Sequence, residues 1–406
     1  MKFTAQQKIL HEGINKVQRA VSTKTTLPVL SGIYISADKD TGLKLIGTDL
    51  DLGISCVIPE KKEKYDGNNL EETSKENKEE NKEKENQQEK QVNIKEEGEI
   101  VLPATHISNI VRELPDDNIL FSLDKENMQI EIKCQNSVFK INGYNPDEFP
   151  QLPRVEEPDK IKIKGSNLKQ IIREVKLSIS QNQSQPALTG ALFEIDKEKI
   201  TMVSTNTYRL ACSEYQIKAD QYEKNLGISE VIIPGDTLNE LSSLLTGQEN
   251  VEILLDENHI CFNFNDTSII SRLIEGQFPN YQQVIPREYN TRINVNTRNL
   301  NAAVKRASLI ARQDSNEISL SINNNILEIN TLESETGEVH EEINILEMEG
   351  PEQNIKIDAG YLQDVLKITG KENINLDLIG PVSPLTINTS KEDRKYTYLI
   401  MPIRQD

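Results

Sequence analysis

"NLKQIIREVKLSIS", residues 167–180, reads as one amphipathic helix, with Leu168, Ile171, Ile172, Val175 and Ile179 on a single apolar stripe. The same design occurs twice more, as "QQKILHEGINKVQRAV" (6–21), with its stripe at Leu10, Ile14, Val17 and Val21, and as "NLNAAVKRASLIAR" (299–312). Thr4, Ser166 and Thr297 are the expected N-caps, and Gln7 would complete a capping box with Thr4. Alternating strand patterns follow each copy: "LKLIGTDLDLGISCVI", "KITMVSTNTYRLACSEY" and "ILEINTLESETGEVHEEI". A second helix also recurs, as "PATHISNIVRELP" (103–115), "PGDTLNELSSLL" (234–245) and "DAGYLQDVLKIT" (358–369), each opened by proline or an acidic residue. Repeat ends recur as "DEFPQLP" (147–153) and "GQFPNYQQVIP" (276–286). The fold class expected is α+β: three tandem domains of two helices backed by antiparallel strands, spanning 1–155, 156–287 and 288–406.

The spacing exposes an irregularity. The second and third copies of the first helix end 132 residues apart (312 − 180), whereas the first and second end 159 apart (180 − 21). The excess of 27 matches a low-complexity acidic insertion at about 60–97, which includes "NNLEETSKENKEENKEKENQQEKQVNIKEEGE" (68–99). With no apolar face to bury, it is expected to be disordered and to project away from the folded body. Its charge is only −4 (13 acidic residues, 9 lysines over 60–98), so the body stays acidic within a total of −19.

Against that acidity, the three first helices are basic. Lys8, Lys16, Arg19 and Lys24 against Glu12 give +3; Lys169, Arg173 and Lys176 against Glu174 give +2; Arg298, Lys305, Arg306 and Arg312 give +4 with no acid opposing them. Cations segregated onto one set of helices can track phosphates while the outer surface repels nonspecific contact. No recognition-helix motif, zinc finger or aromatic stacking run is present, so bases would not be read. The alternative, that these residues only solvate helix faces, suits any single helix but not three equivalent ones.

Chemistry is absent from the motifs. There is no phosphate loop, HExxH, GxSxG or EF-hand pattern, and His11, His106, His259 and His340 stand isolated. Asp49 and Asp51 in "GTDLDLG" could share a cation, but a turn role suits them better. Cys56, Cys134, Cys212 and Cys261 are single, as reduced core residues of a cytoplasmic protein would be, and no membrane span or secretory signal is read. A binding protein without cofactor or metal is expected, not an enzyme.

The pieces "STKTTLPVLSGIYI", "LKLIGTDLDLGI", "LTGALFEI", "STNTYRLA", "GQFPNYQQVIP" and "YLIMPIR", in this order and spacing, resemble the bacterial DNA polymerase III beta subunit, the sliding clamp family. The resemblance covers the chain apart from about 60–97. It implies a head-to-tail homodimer of six domains around duplex DNA, with helices lining the hole and strands on the rim. It adds Arg112 to the DNA-facing cations. It also implies a groove for short linear peptides from the replicative polymerase, the clamp loader and repair polymerases. The matching positions are Leu188, Thr205, Thr207, Arg209, Leu210, Pro279, Val284, Tyr361, Val382, Ile400, Met401, Pro402, Ile403 and Arg404. For the dimer contact it points to Phe139 and Ile141 meeting Leu309 and Ile310. Thr207 stands where many relatives have glycine, Gln283 where arginine is frequent and Asp236 where lysine is; amides in "SQNQSQPAL" (180–188) replace basic or aromatic groups. The alternative reading is a ring-like protein scaffold that tethers no DNA.

Overall fold

The computed structural model describes residues 1–22, 25–60, 92–156, 158–196, 198–223, 230–311, 316–331, 337–370, 372–391 and 393–403. Every repeat consists of two successive strand–helix–three-strand motifs. In repeat I the first runs Lys2–Gln6, α1 (Gln7–Val17), Gly32–Asp38, Gly42–Thr48 and Leu52–Ile58. The second runs Gly98–Pro103, α2 (Ala104–Glu113), Asn118–Asp124, Gln129–Cys134 and Ser137–Asn142. Repeat II follows the same order. Asp159–Lys164, α3 (Gly165–Val175), Gly190–Ile195, Lys199–Thr205 and Arg209–Gln216 come first. Glu230–Pro234, α4 (Gly235–Leu244), Asn250–Leu255, His259–Phe264 and Thr267–Arg272 come second. Repeat III gives Thr291–Asn296, α5 (Thr297–Ala311), Glu317–Asn323, Ile326–Thr331 and His340–Glu349. It ends with Gln353–Asp358, α6 (Ala359–Thr369), Asn373–Leu378, Leu385–Lys391 and Arg394–Ile400.

The helices lie where their apolar periodicity places them, but none of the three expected caps forms. The chain passes from strand to helix without a loop, so Thr4 is still in the sheet, opposite Leu120, and cannot reach the first turn of α1. Gln7 makes no capping box either; its side-chain amide donates to Val111 O at 2.6 Å. Ser166 is already inside α3, and in repeat III Asn296, not Thr297, accepts from the N–H of Asn299. The first helices instead share one tertiary closure. The N–H groups of Gln7, Gly165 and Thr297 donate to the carbonyls of Asp117, Glu249 and Glu372 at 3.0, 2.8 and 2.8 Å. Among the second helices, α6 has a side-chain cap, with Asp358 accepting from the N–H groups of Gly360 and Tyr361.

The described chain forms two compact units, residues 1–157 with 250–272, and 158–249 with 273–406. In the first, strand Thr267–Arg272 pairs antiparallel with Leu52–Ile58 (Thr267 opposite Cys56, Ser271 opposite Leu52), which draws residues 250–272 to repeat I. A five-stranded sheet, ordered Asn93–Glu96, Lys2–Gln6, Asn118–Asp124, Gln129–Cys134 and Ser137–Asn142, completes that unit. In the second, a twelve-stranded sheet is continuous across the pair Arg209–Gln216 and Arg394–Ile400. Helix stripes fill the cores: Leu10, Ile14, Val17, Ile107 and Val111 in one unit, Ile171, Ile172, Val175, Leu300 and Leu362 in the other, all fully buried. Each such side chain contributes roughly 1.5–3 kcal/mol.

The insertion is shorter than its composition implies. Val92 and Ile94 are buried and Asn93–Glu96 is a strand paired with residues 2–4, because the alternation Val92, Ile94 supplies an inward face. Residues 61–91, on which the expectation of disorder rests, lie outside the described residues. All four cysteines are free and buried, and burial pushes the thiols of Cys56, Cys212 and Cys261 up to about 12.

Candidate nucleic-acid interface and peptide groove

The first helices carry their cations close to carboxylates and carbonyls that the helix sequences do not contain. Lys8 pairs with Asp116, and Lys16 Nζ lies 2.8 Å from Asp266 Oδ1. Arg306, unopposed in its helix, is gripped on two sides by Glu341 at 2.6 and 2.5 Å. The charge counted along the helices therefore overstates the field they project. Arg112 is exposed and bonded to its neighbour Glu113 at 3.1 Å. Repeat II uses its cations differently: Lys169 donates to Leu245 O, just past α4, at 2.5 Å, and Arg173 donates to Lys367 O in the last turn of α6 at 3.1 Å. Both sit at helix C-termini, where positive charge offsets the helix dipole, and neither has an ion pair among the described residues. Lys176 is half-buried, Arg19 is exposed with a partner of its own, and Arg298 and Lys305 are exposed on α5 with no ion pair among the described residues. Lys24 and Arg312 lie outside the described residues.

The groove positions centre on a tight turn at 205–209 in the second unit. Thr205 Oγ1 donates to Arg209 O (2.7 Å) and accepts from Thr207 N (3.1 Å). Asn206 Oδ1 accepts from the N–H groups of Tyr208 and Arg209 at 3.1 and 3.0 Å. Thr207 is left at φ +74°, a region that a β-branched residue enters only under strain. The Met401 N–H donates to Tyr208 O at 2.8 Å and Ile403 N–H to Lys356 O at 2.8 Å, which fixes the C-terminal segment beside the turn.

Arg209 is the electrostatic centre. Its guanidinium donates to Asp364 Oδ2 (2.6 Å) and Tyr398 OH (3.4 Å) and lies 4.4 Å from the Tyr361 ring centre. Burial disfavours its charge, but Tyr398 and Asp364 outweigh that and hold its pKa above the ordinary value. Burial pushes the Tyr398 phenol up to about 12.

The expected groove residues divide into two layers. Leu188, Thr205, Leu210 and Ile400 are buried, while Thr207, Pro279, Val284 and Val382 are exposed. Tyr361, Met401, Pro402 and Ile403 are half-buried, and Arg404 lies outside the described residues. Tyr208, 64% exposed, was not singled out from sequence although it follows Thr207 directly. Asp364 was missed because only the fold brings it to Arg209. A cavity of about 520 Å3 lined by Leu192, Phe278, Pro279 and Tyr281 touches the predicted set only at Pro279.

The expected dimer residues lie on two separate edges. Ser137–Asn142 is the outer strand of the five-stranded sheet, with Val138 and Phe139 exposed and Ile141 half-buried. On α5, Leu309 is 65% exposed and Ile310 half-buried, and Leu346 on His340–Glu349 is exposed.

A chain of three repeats, each with two helices against antiparallel strands, is a three-domain clamp fold. Three domain models of the DNA polymerase III beta subunit match it in order: the N-terminal domain over residues 1–153, the central over 162–280 and the C-terminal over 282–404. It is 32% identical to the beta sliding clamp of Halalkalibacterium halodurans and 31% to that of Staphylococcus epidermidis; it is covered in full by both matches, which take in 100% and 99% of those chains. The crystal structure of the Bacillus subtilis DNA polymerase sliding clamp superposes with a TM-score of 0.87 at 31% identity, and that of the Streptococcus pyogenes beta subunit at 0.86 and 26%, both over the whole of each chain. The chain belongs to the bacterial DNA polymerase III beta subunit family, the beta sliding clamps, whose members are non-catalytic processivity factors. Among the described residues no helix is long and apolar enough to cross a membrane.

Proposed function

We propose that two copies of this chain close head to tail into a cytoplasmic ring around duplex DNA and tether the replicative polymerase for processive synthesis. One observation carries the ring. The last strand of a repeat's first motif joins the last strand of the next repeat's second motif: 52–56 with 267–271, and 209–215 with 394–400. The rule leaves two strands over, Ser137–Asn142 and His340–Glu349. The first is an edge with exposed apolar side chains, and, among the described residues, 340–344 of the second pair only with 326–330. A second copy supplies the missing partner for each, bringing Phe139 and Ile141 against Leu309 and Ile310. Long, apolar edges of this kind are otherwise a liability.

The repeats, in this reading, are domains at 1–155, 156–287 and 288–406. Topology retains the DNA, so loose phosphate contacts by Lys169, Arg173, Lys176, Arg298 and Lys305, with Arg19, Lys24, Arg112 and Arg312 beside them, are sufficient. Lys8 and Lys16 contribute less, because Asp116 and Asp266 offset them. The groove around Thr207, Arg209, Val284, Tyr361, Val382 and Met401 takes short linear peptides of the polymerase, the clamp loader and repair polymerases. Its exposed apolar rim over a buried floor suits leucine or phenylalanine anchors.

The test is retention on nicked circular DNA after loading, followed by linearisation. Release at the free ends is expected, and continued retention would sink the ring. A scaffold that tethers no DNA would be untouched by charge reversal at Arg298 and Lys305.

A further inference from the structure

The turn at 205–209 has a structural twin in the other unit. Thr48 Oγ1 donates to Leu52 O (2.9 Å) and accepts from Leu50 N (3.0 Å). Asp49 Oδ1 accepts from Asp51 N (3.1 Å) and Leu52 N (2.7 Å), and Asp49 N donates to Leu52 O (3.2 Å) as Asn206 N does to Arg209 O (3.3 Å). Arg272 N donates to Asp51 O at 2.8 Å, in the place of Met401 N on Tyr208 O. Even the strain is reproduced: Leu50 has φ +87° where Thr207 has +74°.

Leu50 is both strained and 57% exposed, and nothing in the turn needs its side chain. An outlier of this sort points to use rather than to folding. Leu27, in the segment entering the short helix Pro28–Ser31, is 52% exposed. A β-carbon at Gly53, at the turn's exit, would lie 2.4 Å from Leu152, which also lines a cavity of about 550 Å3 with Tyr34, Phe149 and Pro150. This cavity matches the one at Phe278, Pro279 and Tyr281.

We propose that this twin is a second docking site for linear peptides, taking an apolar anchor flanked by basic residues. The claim rests on the reading of the 205–209 turn as a peptide groove. The anchor enters beside Leu152 and Phe149 while its neighbours pass Leu50. The flanks follow from charge: Asp49 and Asp51 occupy the positions of Asn206 and Tyr208, and Leu52 that of Arg209, so the twin turn presents two carboxylates and no guanidinium of its own. Arg272 has a partner already, and Lys44 and Arg154 at the cavity are matched by Glu99 and Asp147.

Fluorescence polarisation with two labelled probes tests it: a Leu-Phe peptide flanked by lysines and an uncharged Leu-Phe peptide. The lysine-flanked probe should bind the full chain and weaken about tenfold in Leu50→Gly with Asp51→Asn. It should be indifferent to Tyr208→Ser with Val382→Ser. Glycine relieves the positive φ, so this variant keeps its fold. No binding, equal binding of a probe with serines for Leu and Phe, or loss only in the Tyr208/Val382 variant would each overturn the second site. Failure of the uncharged probe to respond to the Tyr208/Val382 variant would instead remove the groove reading.

Discussion

The two strand joints inside the chain follow one rule and are built of different material. In the first unit five residue pairs, 52–56 with 267–271, meet with one ion pair beside them, Lys16 to Asp266. In the second, seven pairs join 209–215 to 394–400, and a buried polar network crosses the seam. Glu174 accepts from Ser213 Oγ (2.6 Å) and Gln170 Nε2 (3.0 Å) and pairs with Arg394 Nε (3.4 Å), while Tyr396 OH donates to Glu174 O (3.1 Å). Arg209 and Asp364 stand at the seam's end, beside the groove. One backbone rule thus serves both a mainly apolar joint and one that carries ionic groups beside the proposed groove. Buried ionic groups add little net stability when intact, but losing one partner is expensive.

The comparison can be broken most forcefully at Glu174. Replacing it with alanine strands Arg394 and Ser213 and should cost the second unit about 3–5 kcal/mol by denaturant unfolding. A loss no larger than for an exposed pair would show the network to be incidental. Arg209→Ala should cost about 1–3 kcal/mol and weaken peptide binding as well, since half-buried Asp364 loses its short bond to the guanidinium and keeps only the longer contact with Lys367 at 3.5 Å. In the first unit Lys16→Met should cost only about 1 kcal/mol. That joint carries a pH signature too. Burial tends to raise the Asp266 pKa, but the Lys16 hydrogen bond and charge win and lower it from 3.8. A depressed carboxylate stabilises the fold fully above its ordinary pKa and stops doing so as pH falls through the folded value. Acid unfolding of the wild type should show this loss and Lys16→Met should not. The smallest effect is expected at Thr207→Gly, a gain of about 0.5–1 kcal/mol from relief of the positive φ, read as a rise in midpoint.

The repeat and all six helices were legible in the sequence because their stripes follow the helical period and neighbours on the stripe meet the same core. The caps were not, because Thr4 and Ser166 satisfy a local pattern that the strand-to-helix passage overrides. Site residues separated in the same way. Val284, Val382 and Phe139 could be named from a family pattern, and they are exposed. What the cations do could not be, since Lys16 meets Asp266 across 250 positions and Arg173 meets Lys367 across 194. Such partners are set by sheet order, which no local spacing encodes. The twin turn at 48–52 was half visible: Asp49 and Asp51 stood out as carboxylates, but the feature that matters is the strained leucine between them.

The two leftover strands have a consequence for exchange. In the ring proposed above, each chain offers one complementary edge of each kind, and a pair of chains would be held by two separate seams. Opening one seam leaves the other intact, so reclosure is a first-order event at an effective concentration in the ~mM range, far above that of free chains in dilute solution. In that proposed ring, anything that admits DNA would have to hold a single seam apart, and a ring opened by chance would shut again before its halves could diffuse away.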